Sequence, residues 1–554
     1  MSLRRTALIV LACALSVGAA AAPPRLVVQI TIDGLPTENL LQHADRLRPD
    51  GLGRFFSEGI LYTGAEYPYL TTFTAVGHAS LFTGALPSMH GLIGNEWLDN
   101  ETGASVYCVE DPAHRVLDFP TKEHEGTSPA NLESSTIGDE LVRASAGKSR
   151  VFSVSAKDRG AILPGGKMGK AFWYSKGANT FVTSDYYYPA TPEWLKDWRE
   201  RQPIAQYRHT VWELLRNRED YTRYNQDDRS WEKGLGPTFP HDLGSVEEAK
   251  LADAIRWTPY IDELTMSLAL EIMVQEKLGQ GEAADMLCVS LSAMDYVSHL
   301  YGPDGLEAED TLYRADGYIA ELLARIDEFI GLDHTLVVLS ADHGFGRAPE
   351  ECASEGLQAT RVTKEDLAER VSGVRTALAE RFGLDPKVVQ GYMTPFLYLD
   401  RALIAQSGVA LDDVQRAAAD LMAQWPAVAW TATRNDLLDA RLPQTKFHQL
   451  VGRLRRTKFH DRATVSLSTT RGGDVLVVLK PWCLIETPET AYPASHGSPY
   501  AYDTHVPILF LGQGVEPRRV DRHVSPLDIA ATLAACLDIT PPPFCTGEPL
   551  PEVL

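Results

Sequence analysis

Near-continuous apolar, β-branched runs recur along the chain, and most of them close on a polar residue. Leu26–Ile32 (LVVQITI) runs into Asp33-Gly34, Val151–Ser155 into Lys157-Asp158-Arg159, and Met286–Leu291 into Asp295. Thr335–Leu339 runs into Asp342-His343-Gly344, and Val506–Leu511 completes the set. Apolar runs without polar alternation predict strands buried on both faces, as in a parallel sheet. Between them, apolar residues recur at helical spacing: Leu312, Tyr318, Ile319, Leu322, Leu323, Ile326 and Ile330 mark a helix over 306–330, and PLDIAATLAACL at 526–537 marks a terminal amphipathic one. The fold expected is α/β, a central mostly parallel sheet flanked by helices. Ligands of such sheets gather beyond the carboxyl ends of the strands, where four of the five runs deliver polar residues. Two stretches, about 161–284 and 348–490, break the alternation and are rich in Trp, Tyr, Arg and Pro. They are expected to be insertions that cap the edge of the sheet. The repeated TKFH at 445–448 and 457–460 brackets a basic run that reads as a solvated surface helix.

At 554 residues and 44% hydrophobic content the chain can fill a large core, and one α/β domain with insertions accommodates its length. A net charge of −22 repels nucleic-acid phosphates and anionic lipid, so neither is an expected partner. An anionic substrate therefore needs cations placed locally. The first five residues are basic, Thr6 to Val17 are apolar and Ala19 to Ala22 are small, which reads as a secretory signal over 1–22. That run is too short to span a bilayer, and no other stretch is apolar enough to do so. A soluble periplasmic or secreted protein is expected, with Arg4-Arg5 and Val10–Cys13 leaving twin-arginine and lipoprotein variants of the signal open. Six cysteines follow the signal, an even count that permits disulfides, with Cys536 and Cys545 the closest pair. No CxxC occurs, which argues against a thiolate zinc cluster.

Asp33, Asp295 with His299, Asp342-His343 and His496 are the candidate chemistry. Singly, each reads as a helix cap, a turn former or a solvated loop residue. Together, three carboxylates and three imidazoles at one end of one sheet suit Zn²⁺ in an open site and exceed what a single zinc takes. A two-zinc site clamps the attacking and leaving oxygens of an in-line displacement at phosphorus. The attacking group is expected in Tyr67-Pro68-Tyr69-Leu70-Thr71-Thr72-Phe73-Thr74-Ala75-Val76-Gly77-His78-Ala79-Ser80, where a turn opens into a helix whose free N–H groups favour an anion. Thr74 is the best candidate; Thr71, Thr72 and Ser80 are rivals, and an ordinary Thr N-cap is the alternative.

Asp33-Gly34, Thr74–Ser80, Gly94-Asn95-Glu96-Trp97, Lys157-Asp158-Arg159, Asp295-x-x-x-His299, Ala341–Gly344 and Ser495-His496-Gly497, in this order, resemble the alkaline phosphatase superfamily. Within it they are similar to the phosphate-irrepressible (PafA-like) alkaline phosphatases with a Thr nucleophile. The resemblance implies an alkaline-phosphatase-like fold in which Asp33, Asp342, His343 and Thr74 hold one zinc and Asp295, His299 and His496 the other. It implies that Thr74 forms a phospho-threonine and that Asn95, Lys157 and Arg159 bind the phosphoryl oxygens, with His78 structural. Two zinc ions against three aspartates and an alkoxide leave no net charge, and Lys157 and Arg159 then supply the two positive charges that match a phosphate monoester dianion. The expected activity is hydrolysis of small-molecule phosphate monoesters. A phosphodiesterase or nucleotide pyrophosphatase on the same fold is the nearest alternative, and an inactive secreted metal-binding protein is the alternative of another class.

Overall fold

The computed structural model describes residues 22–222, 227–440, 459–486 and 492–554. The signal segment up to residue 21 and the first TKFH lie outside them; of the second, only Phe459 and His460 are described, at the start of a helix.

In chain order the principal strands are β1 (Leu26–Ile32), β2 (Ile60–Ala65), β3 (Val151–Ser155), β4 (Lys170–Ser175), β5 (Thr180–Val182), β6 (Asp285–Leu291), β7 (Thr335–Ser340), β8 (Val389–Met393), β9 (Phe396–Leu399), β10 (Val428–Thr433), β11 (Val475–Leu479), β12 (Ile508–Gly512) and β13 (Arg518–Val524). The principal helices are α1 (Thr74–Thr83), α2 (Asp158–Gly165), α3 (Tyr260–Gln275), α4 (Ala293–Tyr301), α5 (Leu306–Phe329), α6 (Lys364–Phe382), α7 (Leu411–Ala423), α8 (Phe459–Ser466) and α9 (Asp528–Cys536).

Nine strands form one sheet in the order β13-β2-β12-β7-β1-β6-β3-β4-β5. Its centre is parallel, with β1 between β6 and β7 and with β3 and β4 beyond β6. Every residue of β1, β6 and β7 is buried, which is why these runs lack polar alternation. Helix α3 packs on β6 and β3, α2 on β4, and α1 on α2.

The fifth apolar run departs from the expected parallel set. Strand β12 pairs antiparallel with β7, Leu339 facing Leu509 and Ser340 facing Ile508. A run buried on both faces carries no information about direction, so its composition identified the strand without orienting it. The reversal serves the site: β12 begins at the edge where β7 ends, and the loop that enters it meets the carboxyl ends of the parallel strands.

The stretch 161–284 supplies β4 and β5 to the main sheet and α3 to its face, so it is only in part an insertion. Strand β5 has three residues and β4 is aromatic rather than aliphatic, so neither stands out as a core run. The stretch 348–490 carries a second, antiparallel sheet in the order β8-β9-β11-β10, backed by α6 and α7 around its own core of Val374, Leu378, Val414, Met422 and Val475. Cys108, Cys288, Cys352, Cys483, Cys536 and Cys545 are all free thiols, so Cys536 and Cys545 form no disulfide. Among the described residues no helix is long and apolar enough to cross a membrane.

Candidate active site

The strand ends are stitched to one another by the residues that carry the chemistry. Asp33 follows β1, and its N–H donates to Leu291 O at the end of β6 (2.9 Å). Asp342 Oδ1 accepts the N–H of Gly34 and of His343, each at 3.1 Å, so one carboxylate ties the end of β1 to that of β7. Helix α4 starts just past β6 and presents Asp295 and His299 on one face, four residues apart. Its entry is held by Asp262 of α3, whose Oδ1 accepts the N–H of Ser292 (2.7 Å) and Ala293 (3.1 Å). Nothing in the sequence marks Asp262 except that it is an acid at a buried position of a largely apolar helix. His496 arrives on the loop that leads to β12.

The three imidazoles share one orientation. Their Nδ1 atoms donate to backbone carbonyls: His299 to Ala494 (2.9 Å), His343 to Gly344 (2.8 Å) and His496 to Thr72 (2.8 Å). That leaves each Nε2 with a free lone pair. Asp295 Oδ1 lies 3.5 Å from His299 Nε2, 3.3 Å from His496 Nε2 and 3.9 Å from His343 Nε2. His343 Nε2 also stands 3.5 Å from Asp33 Oδ1 and 3.3 Å from Asp342 Oδ2. Acceptors thus face acceptors. Asp33 Oδ1 and Asp295 Oδ1 are buried and accept no hydrogen bond from the described residues.

Two sets of ligand atoms, Asp295 with His299 and His496, and Asp33 with Asp295 and His343, each fall within 4.8 Å of one another. Burial, then Asp342, pushes the Asp33 carboxyl well above its ordinary range against the pull of Lys157. Burial also acts to raise Asp295, but Lys157 and then His299 hold it well below. Burial lowers the imidazoles of His343 to about 3 and His299 to about 4, so both stay neutral. Neutral imidazoles and crowded carboxylates without thiolate are a donor set that fits Zn²⁺.

Thr74 is the first residue of α1, and Phe73 is its N-cap; no side chain caps this helix end from the cap position. Thr74 Oγ1 lies 3.4 Å from His343 Nε2 and 3.5 Å from Lys157 Nζ. The rival hydroxyls are elsewhere: Thr72 donates to Ser498 O (2.8 Å), Ser80 pairs with His90 Nε2 (3.1 Å), and Thr71 is buried with no hydrogen-bond partner among the described residues. Helix α1 approaches the cage through Gly77, where a Cβ would sit 2.0 Å from Asp342 O.

Around this hydroxyl, Asn95 Oδ1 accepts the Ala75 N–H (2.9 Å), which orients its amide at the helix entrance. Lys157 Nζ bridges Asp33 Oδ2 (2.8 Å) and Asp295 Oδ2 (2.5 Å); burial alone would lower its pKa, and the two carboxylates outweigh it. Arg159 donates from Nη1 to the Tyr107 hydroxyl (3.3 Å), which in turn donates to Asp158 Oδ1 (2.5 Å). His78 bridges the site to β6, with Nδ1 3.0 Å from Thr74 O and 3.2 Å from Asp342 Oδ2, and Nε2 2.9 Å from Ser290 Oγ. Arg462 of α8 fastens two separate segments: Nη1 donates to Pro499 O (2.8 Å) and Nη2 to Tyr67 O (3.1 Å) and Tyr69 O (2.8 Å).

Known proteins share this arrangement of the chain. The family described as type I phosphodiesterase / nucleotide pyrophosphatase matches residues 27–470. Alkaline phosphatase PafA of Elizabethkingia meningoseptica is 31% identical over 540 residues, 96% of this chain and 94% of that one. Alkaline phosphatase PhoV of Synechococcus elongatus is 30% identical over 548 residues, 96% and 93% of the two chains. The crystal structure of wild-type PafA superposes with a TM-score of 0.84 at 29% identity, covering 96% of this chain and 99% of that one. A crystallised PafA variant, at TM-score 0.86 and 29% identity over 97% and 100% of the chains, is substituted at a threonine, an asparagine, a lysine and an arginine. Successive positions among the four are 21, 62 and 2 residues apart, as are Thr74, Asn95, Lys157 and Arg159 here. Matched over most of its length by the family and nearly end to end by these relatives, the protein belongs to the type I phosphodiesterase / nucleotide pyrophosphatase family of the alkaline phosphatase superfamily.

Proposed function

We propose that the protein is an exported phosphomonoesterase, an alkaline phosphatase that hydrolyses small-molecule phosphate monoesters through a phospho-threonine at a two-zinc site. The observation that carries this reading is the Thr74 hydroxyl at the start of α1, 3.4 Å from His343 Nε2 and 3.5 Å from Lys157 Nζ. Asp33, Asp342, His343 and Thr74 would hold one cation, and Asp295, His299 and His496 the other. When bound, the two cations supply the positive charge that acidifies neighbouring hydroxyl and water oxygens and stabilises charge on a departing oxygen.

The chain's own residues supply the rest. Lys157 and the open N–H groups of the first turn of α1 favour the anionic form of Thr74. Asn95, Lys157 and Arg159 bind the phosphoryl oxygens and hold phosphorus in line with Oγ1, the positioning that a loose transition state requires. Oγ1 attacks phosphorus, the ester P–O bond breaks, and the leaving alcohol takes up a proton. Water then attacks the phospho-threonine, the P–Oγ1 bond breaks, and phosphate departs as Oγ1 regains its proton. The Tyr107–Asp158 pair holds Arg159 in place, and Asp262 fixes the entry of α4 and with it Asp295 and His299.

The family's description favours a second reading, a phosphodiesterase on the same ligands. Lys157 and Arg159 oppose it, because two fixed positive charges match a monoester dianion and leave a diester monoanion under-matched. The N-terminal basic, apolar and small-residue segments support export. The test is steady-state hydrolysis of an aryl phosphate and a matched aryl diester by wild type and Thr74→Ala, with metal content measured on the same samples. The reading requires monoester preference, two zinc equivalents and loss of turnover in Thr74→Ala; a wild type that prefers the diester overturns it.

A further inference from the structure

Beyond His299 stand aromatic side chains that belong to neither the cation ligand set nor the phosphoryl-binding set. The Tyr492 ring lies over the His299 imidazole, centroids 4.4 Å apart at 31°. Trp257 meets both Tyr492 (5.7 Å, 59°) and Tyr296 (5.2 Å, 68°). Lys157 Nζ in turn stands 5.1 Å from the centroid of the Tyr296 ring. The Arg256 guanidinium lies 5.3 Å from the Trp257 ring and 5.2 Å from the Tyr296 ring, donates to the Tyr296 hydroxyl at 3.5 Å, and is tethered to Asp253. These residues come from three segments: the turn before α3, helix α4 and the approach to β12. Trp257, Tyr296 and Tyr492 are all partly exposed, whereas Asp295 and His299 beside them are buried. Rings gathered only to fill a core would be sealed; these present surface next to a charged cage.

We propose that Trp257, Tyr296 and Tyr492 form the leaving-group subsite and that the group they accept is a planar aromatic, so that aryl phosphates are preferred to alkyl and polyol phosphates. The inference rests on the phosphomonoesterase reading, in which Asp295, His299 and His496 face the leaving oxygen. The remainder of the leaving group would extend past His299 toward Tyr492 and Trp257, whose partly exposed rings can meet a planar aromatic. A flexible polyol gains little from such a surface, because its hydroxyls would exchange water for ring carbon.

The test compares phenyl phosphate with glycerol 2-phosphate in wild type, Trp257→Leu, Tyr492→Leu and Trp257→Phe. The leucine variants should lose about tenfold in kcat/KM for phenyl phosphate and less than about twofold for glycerol 2-phosphate, while Trp257→Phe, which keeps a ring, should stay within about threefold of wild type on both. Calorimetric titration with phenylphosphonate and methylphosphonate reads the same discrimination without turnover, and only the phenyl compound should bind more weakly to the leucine variants. Equal losses on both substrates, or no loss on phenyl phosphate, overturn the subsite while leaving the phosphatase reading intact. A wild type that hydrolyses neither monoester overturns both.

Discussion

The two sides of the cage are built by different means. On one side Asp33, Asp342 and His343 stand within a few residues of the ends of β1 and β7, strands paired in register through Thr31 and Ser340. His343 and both carboxylates are fully buried there. On the other side His496 hangs on a loop, 6% exposed, held by its Nδ1 contact with Thr72 and by the Arg462 clasp on Pro499. The first side inherits its geometry from neighbouring backbone. The second depends on a guanidinium contributed by the stretch 348–490, which is therefore more than a cover for the sheet: its helix α8 joins the segment before Thr74 to the loop of His496. Asp295 belongs to both sides, since its Oδ1 faces His299, His496 and His343.

The harshest challenge to that contrast is Asp295→Asn. If one carboxylate serves both sides, both metal equivalents are lost and kcat/KM falls by about 10⁴-fold or more; elemental analysis beside kinetics checks this, and a variant that keeps two equivalents would break the sharing. Next comes the joint replacement Lys157→Ala with Arg159→Ala, expected to lower monoester kcat/KM by about 10³-fold and diester kcat/KM by less than about tenfold. Equal losses would mean that these cations do not select the dianion. Arg462→Met removes the clasp between the His496 loop and the segment before Thr74, and should weaken metal retention most on the loop-borne side, by about 10- to 100-fold. Chelator titration should then show one equivalent leaving before the other, and two equivalents leaving together would erase the distinction.

The smallest effect concerns the scaffold under α1. His90 is buried, its Nε2 donates to Ser80 Oγ (3.1 Å), and burial, then Arg471, lowers its pKa to about 3. The folded chain thus binds this proton more weakly than the unfolded chain does. Its contribution is complete above about pH 6.5 and declines as the pH falls from there toward 3. His90→Gln should flatten that part of the stability curve measured by denaturant melts, and an unchanged slope would assign the acid sensitivity to other groups.

Sequence and structure agree where meaning is local. Each of β1, β3, β6 and β7 announces itself as an apolar run, and the residues that follow it are the ones gathered at the site. His496 was legible only as a His between small residues, and its arrival at the cage needed the antiparallel β12, which an apolar run does not reveal. Asp262, Tyr107 and Arg462 were illegible for a different reason: each acts on a partner that the one-dimensional pattern does not pair with it. The bond from Arg462 to Tyr69 O joins residues 393 positions apart, and neither residue is unusual in its own neighbourhood. The contacts of His78, which braces Asp342 from inside α1, are hidden in the sequence because Ser290, its other partner, lies 212 residues away.

Gly77 sets a tolerance that no other position can relax. The atom facing it is a main-chain oxygen of Asp342, so no rotamer change relieves an added methyl. Helix α1 is wedged against the strand end, and a side chain at 77 acts as a lever that tips Thr74 off its mark. Such a substitution would put the hydroxyl out of reach and displace the backbone of Asp342 along with it.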